Sequence, residues 1–139
     1  MSTFKEIKPQ DMTGNFIRRI AEEWMLIAAE KDGKVNMMTA SWGGFGMFWA
    51  KPVAHIYVRE SRYTKSFIDS AGVFSLTFFG DAYREQLNFC GAKSGRDYDK
   101  VAECGLSVLR EGGAPYFGEA KLALICKPMV IAELNHSTF

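Results

Sequence analysis

Histidine and cysteine are scarce in this sequence: two His and three Cys among 139 residues. His55 and His136 lack companions for a metal or a nucleophile, and Cys90, Cys104 and Cys126 form neither a CxxC pair nor a Cys/His cluster. A zinc-type site is therefore not expected, and no other metal. An odd number of widely spaced thiols suits a reducing cytoplasm. Charge of one sign is equally lacking. Seventeen basic residues face sixteen acidic ones for a net +1, so no summed field favours nucleic acid or an anionic membrane as partner. No stretch approaches the roughly 20 apolar residues of a membrane span. The opening MSTFKEIKPQDMTGN has no apolar core of a signal peptide, so the mature protein is expected to be the chain as written.

What is present is apolar and aromatic. Hydrophobic residues make up 47% of the chain, with 11 Phe, 5 Tyr and 3 Trp. That is enough to bury the core of a single domain over 1–139 and too little chain for a second. Aromatic side chains serve packed cores and flat-ligand pockets alike.

Apolar spacing predicts a short helix over 16–23, then a strand over 24–30, a tight turn at Asp32-Gly33 and a partner strand over 35–42. Gly43 to Gly46 reads as a loop, because glycine weakens a strand interior. It lacks GxGxxG spacing and precedes no helix, so it is no dinucleotide fingerprint. A strand over 53–58 follows Pro52, then a helix over 64–71 stopped by Gly72. Next come a strand over 73–79, a helix over 83–90, a polar loop to Asp99, a helical turn over 100–104 and a strand over 106–109. Residues 121–134 read as one long strand interrupted at Pro128. About six strands with three or four short helices, without a βαβ rhythm, predict a mainly β, antiparallel barrel with helical insertions (α+β) rather than a Rossmann sheet.

Three segments carry candidate chemistry. The strand Asn36-Met37-Met38-Thr39-Ala40-Ser41-Trp42 sets Asn36, Met38, Ala40 and Trp42 on one face and Met37, Thr39 and Ser41 on the other. It is either a strand with one wet face or one whose backbone near 39–42 pairs with the edge of a planar heterocycle. In Arg59-Glu60-Ser61-Arg62-Tyr63-Thr64, two guanidinium groups and hydroxyls precede a helix start. The segment is a solvated turn with a capping hydroxyl, or a phosphate site. The run from Cys90 to Lys100 is a charged surface loop, or a flap whose lysine offers a cation to a developing anion.

The order of these motifs resembles the flavin reductase-like family of FMN-binding split barrels, over roughly 24–127. The matching pieces are Asn-x-x-Thr-x-Ser-Trp at 36–42, Arg-Tyr-Thr at 62–64 and Ser-Gly-Arg-Asp-x-Asp-Lys at 94–100. The resemblance implies a six-stranded, Greek-key split barrel that dimerises, with one FMN per subunit near the interface. It also implies that residues 36–42 run along the isoalloxazine, with Asn36, Met38, Thr39, Ala40, Ser41 and Trp42 as contacts and Trp42 shielding the ring. Arg59, Arg62, Tyr63 and Thr64 would take the phosphate; Cys90, Gly91, Ser94 and Gly95 would border the flavin; Lys100 would approach its N1 and C2 edge. No residue is expected to act as a catalytic acid or base, since hydride chemistry belongs to the flavin.

The implied activity is an FMN-dependent oxidoreductase carrying electrons from NAD(P)H to free flavin or a small acceptor. The alternative is an electron carrier reduced by a protein partner. Family members normally continue beyond the strand at 122–127 into a further His-containing strand, which His136 does not match. A shortened domain is therefore expected, either closed by other means, such as a partner subunit, or truncated and inactive.

Overall fold

A computed structural model describes residues 4–134. The fold is mainly β with short helices, and every strand pairing is antiparallel. The first helix, α1 (Phe16–Arg18), starts where the Asn15 side chain accepts from the Arg18 amide at 3.0 Å, and it runs into a π-helical turn at Arg19–Glu23.

Strands β1 (Met25–Lys31) and β2 (Lys34–Ala40) form the expected hairpin. Asp32 and Gly33 adopt φ of 52° and 78°, the left-handed pair that a two-residue hairpin requires. A second hairpin joins β3 (Gly43–Phe48) to β4 (Lys51–Ile56). Helix α2 (Tyr63–Ala71) ends at left-handed Gly72, as its sequence predicts, and leads into β5 (Phe74–Phe78). Helices α3 (Arg84–Ala92) and α4 (Lys100–Cys104) follow, the latter capped by the Asp99 carboxylate. A last hairpin, β6 (Val108–Glu111) and β7 (Ala114–Phe117), precedes β8 (Leu122–Cys126).

The main sheet runs β2-β1-β5-β8, leaving β2 at one edge. Both faces of its centre are buried, so β1 is a continuous apolar run instead of an alternating one. Met25, Ile27 and Ala29 pack with Phe67, Ile68, Leu76 and Phe78 on one face. Leu26, Ala28 and Met37 pack with Phe79, Leu87, Cys90 and Phe117 on the other. No helix among the described residues is long and apolar enough to cross a membrane.

Four expectations are corrected. Residues 43–46 are strand, not loop: Gly43 faces Ile56, and a Cβ there would collide with the His55 carbonyl, so glycine admits the close approach of β4. The described residues contain eight strands in three sheets instead of about six, because β3 and β7 were not expected. The strand near 106–109 lies two residues later, and β7 contains Pro115, which obscures it in the sequence. Finally, β8 stops at Cys126 and residues 127–134 form no strand. His136 lies outside the described residues.

Candidate functional site: a cationic cleft between α2 and the α3–α4 loop

The start of α2 is tied to the end of α3 by one side chain. Arg62 donates from Nη1 to the Gly91 carbonyl at 3.0 Å and from Nη2 to the Cys90 carbonyl at 3.2 Å. Burial, with the neighbouring Arg59 cation, holds its pKa below the ordinary arginine value. Thr64, in the first turn of α2, is almost fully buried, and its hydroxyl accepts from Asn36 Nδ2 at 2.9 Å.

Lys100 opens α4 yet is only 2% exposed. Its Nζ donates to the Met37 carbonyl at 2.8 Å and to the Cys90 carbonyl at 2.9 Å. The lysine thus closes part of the free edge of β2 against the last turn of α3. Burial, partly offset by the nearby thiols and reinforced by Arg62, lowers its pKa to about 8. It is no mobile surface charge, which corrects the surface-loop alternative for this residue.

The α3–α4 loop is laid across β2. Lys34 Nζ donates to the Gly95 carbonyl at 2.7 Å, and Gly95 sits so close to Asn36 that any Cβ would overlap the Asn36 amide. Gly91 likewise lies against Thr39, where a Cβ would meet the Thr39 Cβ at 3.3 Å. Thr39 Oγ1 donates to the Leu87 carbonyl.

Between the two walls lies a cleft of about 200 Å³, lined by residues 61–64 on one side and by Ala92, Lys93, Ser94, Arg96 and Lys100 on the other. Four of these side chains are cationic and none is a carboxylate. The amide end of α2 opens here without a side-chain cap. Uncapped helix amides beside cations make an anion site. Two cations approach the Tyr63 ring, with Arg96 Cζ 4.8 Å and Lys34 Nζ 5.1 Å from its centroid.

Of the residues singled out in the sequence, Arg62, Tyr63, Thr64, Ser94 and Lys100 line this cleft. Asn36, Gly91, Gly95 and the Cys90 carbonyl support it from behind. Met38 and Ala40 point into the core, so only their backbone is available to a ligand. Both faces of β2 are covered over 36–39, which corrects the wet-face alternative. Ser41 and Trp42 follow the end of β2, and Trp42 is half exposed with Arg59 Cζ 5.4 Å over its ring. Neither Arg59 nor Trp42 lines the cleft. Lys93 and Arg96 do, although sequence reasoning did not select them; the signal was available, since both lie within the loop that carries Ser94 and Lys100.

The architecture is an antiparallel β fold with a cationic cleft at one edge of its main sheet. The chain belongs to the flavin reductase like domain family, which matches residues 17–139. Flavoredoxin from Methanosarcina acetivorans superposes with a TM-score of 0.74 at 27% identity, covering 81% of this chain and 60% of that one. Flavoredoxin of Desulfovibrio vulgaris (Miyazaki F) gives 0.71 at 28% identity, covering 81% and 62%. An FMN-binding protein from Thermus thermophilus, solved with p-hydroxybenzaldehyde, shares the fold at a TM-score of 0.73 and 18% identity, covering 94% and 73%. The chain spans about three fifths of the length of the two flavoredoxins. No curated protein matches it.

Proposed function

We propose that this chain binds FMN and serves as a flavin reductase-type oxidoreductase, with NADH or NADPH as donor and free flavin or a small molecule as acceptor. The observation that carries the reading is the cleft itself: four cations, no carboxylate and the uncapped start of α2. That donor set fits a phosphate dianion. When bound, FMN supplies the hydride and electron chemistry.

The protein's own residues bind and orient. In this reading Lys93, Arg96 and the α2 amides hold the phosphate. Arg62 and Thr64 act largely by fixing the walls, since their polar atoms already bond Cys90, Gly91 and Asn36. Lys100 keeps a cation at the β2 edge, where it favours negative charge on a neighbouring ring. Trp42 and Arg59 form an exposed stacked pair beyond the cleft, available to cover a ring system.

The proposed assembly is a homodimer. The β3–β4 hairpin carries Met47, Phe48 and Trp49 exposed by 63%, 42% and 79%, with the last two stacked at 5.5 Å. Such a patch favours burial by a second subunit. The proposed location is the cytoplasm, in keeping with three free cysteines.

Purified protein is expected to be yellow, or to gain thermal stability with added FMN. NADH or NADPH should bleach the colour without oxygen. Colour that neither nucleotide bleaches would select the electron-carrier reading, which the likeness to two flavoredoxins favours. A colourless protein that FMN does not stabilise would overturn both.

A further inference from the structure

The thiols of Cys90 and Cys104 do not line the cleft, and their placement is unusual. Their sulfurs lie 3.6 Å apart, one at the end of α3 and one on the last residue of α4. Cys90 is fully buried, whereas Cys104 is partly exposed. We propose that Cys90 and Cys104 are a reversible dithiol–disulfide couple, oxidised by hydrogen peroxide.

The geometry permits bond formation with little motion. A disulfide needs the sulfurs at about 2.05 Å, so they must approach by roughly 1.5 Å. Cys104 is the last residue of its helix, so its side chain can rotate toward Cys90 without breaking a helical turn that follows it. Neither cysteine belongs to a strand, so the sheet ladder is left intact.

Cys104 is the attacking thiol. It is the more accessible of the two; burial, with Glu103, holds its thiol above the ordinary value, while the Cys90 S–H and the Lys100 cation act in the opposite direction. Its sulfur forms a bond to one peroxide oxygen as the O–O bond breaks, giving a sulfenic acid and water. The Cys90 sulfur then displaces that oxygen, which leaves as a second water with the Cys90 proton. Two thiols lose two electrons in total, one peroxide gains them, and a dithiol reductant reverses the change. Burial pushes the Cys90 thiol up to about 12, which suits it to the second, resolving step and not to the first attack.

The bond would close the segment between the two cysteines into a loop, and that segment holds Lys93, Ser94, Arg96 and Lys100 of the cleft wall. The Cys90 carbonyl is also the shared acceptor for Arg62 and Lys100. Oxidation is thereby placed where it can be felt by the binding site, although the chemistry of the couple does not depend on which ligand the cleft takes.

The test uses the full chain, treated with excess hydrogen peroxide, unfolded and alkylated with N-ethylmaleimide. The expected protein carries a single alkyl group, on Cys126, and has lost two hydrogens. Trypsin cuts at Lys93, Arg96 and Lys100 should leave the Cys90 and Cys104 peptides joined until dithiothreitol separates them. Cys126→Ser should keep the linked species. Cys104→Ser should abolish it while retaining the native circular dichroism, its side chain being partly exposed. Alkylation of all three cysteines after oxidation, or a link between subunits through Cys126, would overturn the proposal.

Discussion

Asn36 Nδ2 donates to Thr64 Oγ1 at 2.9 Å, with each residue only 1% exposed. This bond joins the edge strand β2 to the first turn of α2 and sets the spacing between the cleft's supporting strand and its helical wall. Removing either partner strands a buried polar group, which costs about 1–3 kcal/mol. Asn36→Ala and Thr64→Val should each lower the unfolding free energy measured in urea by that much. The double variant should lose less than the sum, showing a coupling of about 0.5–3 kcal/mol. Full additivity would mean that the bond contributes nothing.

Stability should depend on pH in two opposed steps. Lys100 titrates near 8 in the folded protein against 10.5 ordinarily, so above pH 8 the unfolded chain holds the extra proton and stability rises. Cys90 and Cys126 titrate near 12 and 11 against 9.0, so above pH 9 the folded chain holds the extra protons and stability falls. The Cys104 thiol, also raised by burial, adds to the fall, so three thiols oppose one lysine and the maximum should lie at about pH 9. Denaturation midpoints across pH 7 to 11 check this. Lys100→Met should erase the rise and leave the fall.

Binding of FMN should depend more on the loop cations than on Arg59. Arg96→Ala with Lys93→Ala removes the two cleft cations that bond no backbone carbonyl. An affinity loss of about tenfold, or ~1.4 kcal/mol, is expected, and it should shrink as salt is raised. Arg59→Ala, outside the cleft, should change affinity less than threefold. A fluorescence titration at two ionic strengths separates the outcomes, and equal losses would refute the ranking.

The β3–β4 tip should govern assembly. Trp49→Asp places a carboxylate in the exposed stack with Phe48. Sedimentation should then show a dimer-to-monomer shift for the variant and a dimer for the parent. A parent that sediments as a monomer would remove the proposed subunit contact.

Local chemistry made part of this molecule legible in its sequence. Asp32-Gly33 announced the first hairpin, and Gly72 the end of α2, because each fixes a left-handed backbone within a few residues. The β3 strand stayed hidden because Gly43, Gly44 and Gly46 spoke for a loop, and only the partner β4 shows why glycine is needed. Pro115 hid β7 in the same way, at a strand whose pairing is with β6 alone. At the site, the order of motifs pointed to the residues that meet, but not to their duties. Lys100 reads as a surface charge or a cation offered to a ligand, and is buried on two backbone carbonyls; Thr64 reads as a capping hydroxyl or a phosphate contact, and is bonded to Asn36. Those roles are set by contacts between elements far apart in the chain, which no local pattern records.

The approach of both Lys34 and Arg96 to the Tyr63 ring has a kinetic consequence. Each cation gains a favourable contact with the aromatic ring, which limits its rotamers. The wall is therefore preorganised, and a ligand arriving there gives up little ordering entropy to the protein. Arrival should be governed by electrostatic steering through a field already in place, and differences in affinity among anions should be expressed in how long each stays.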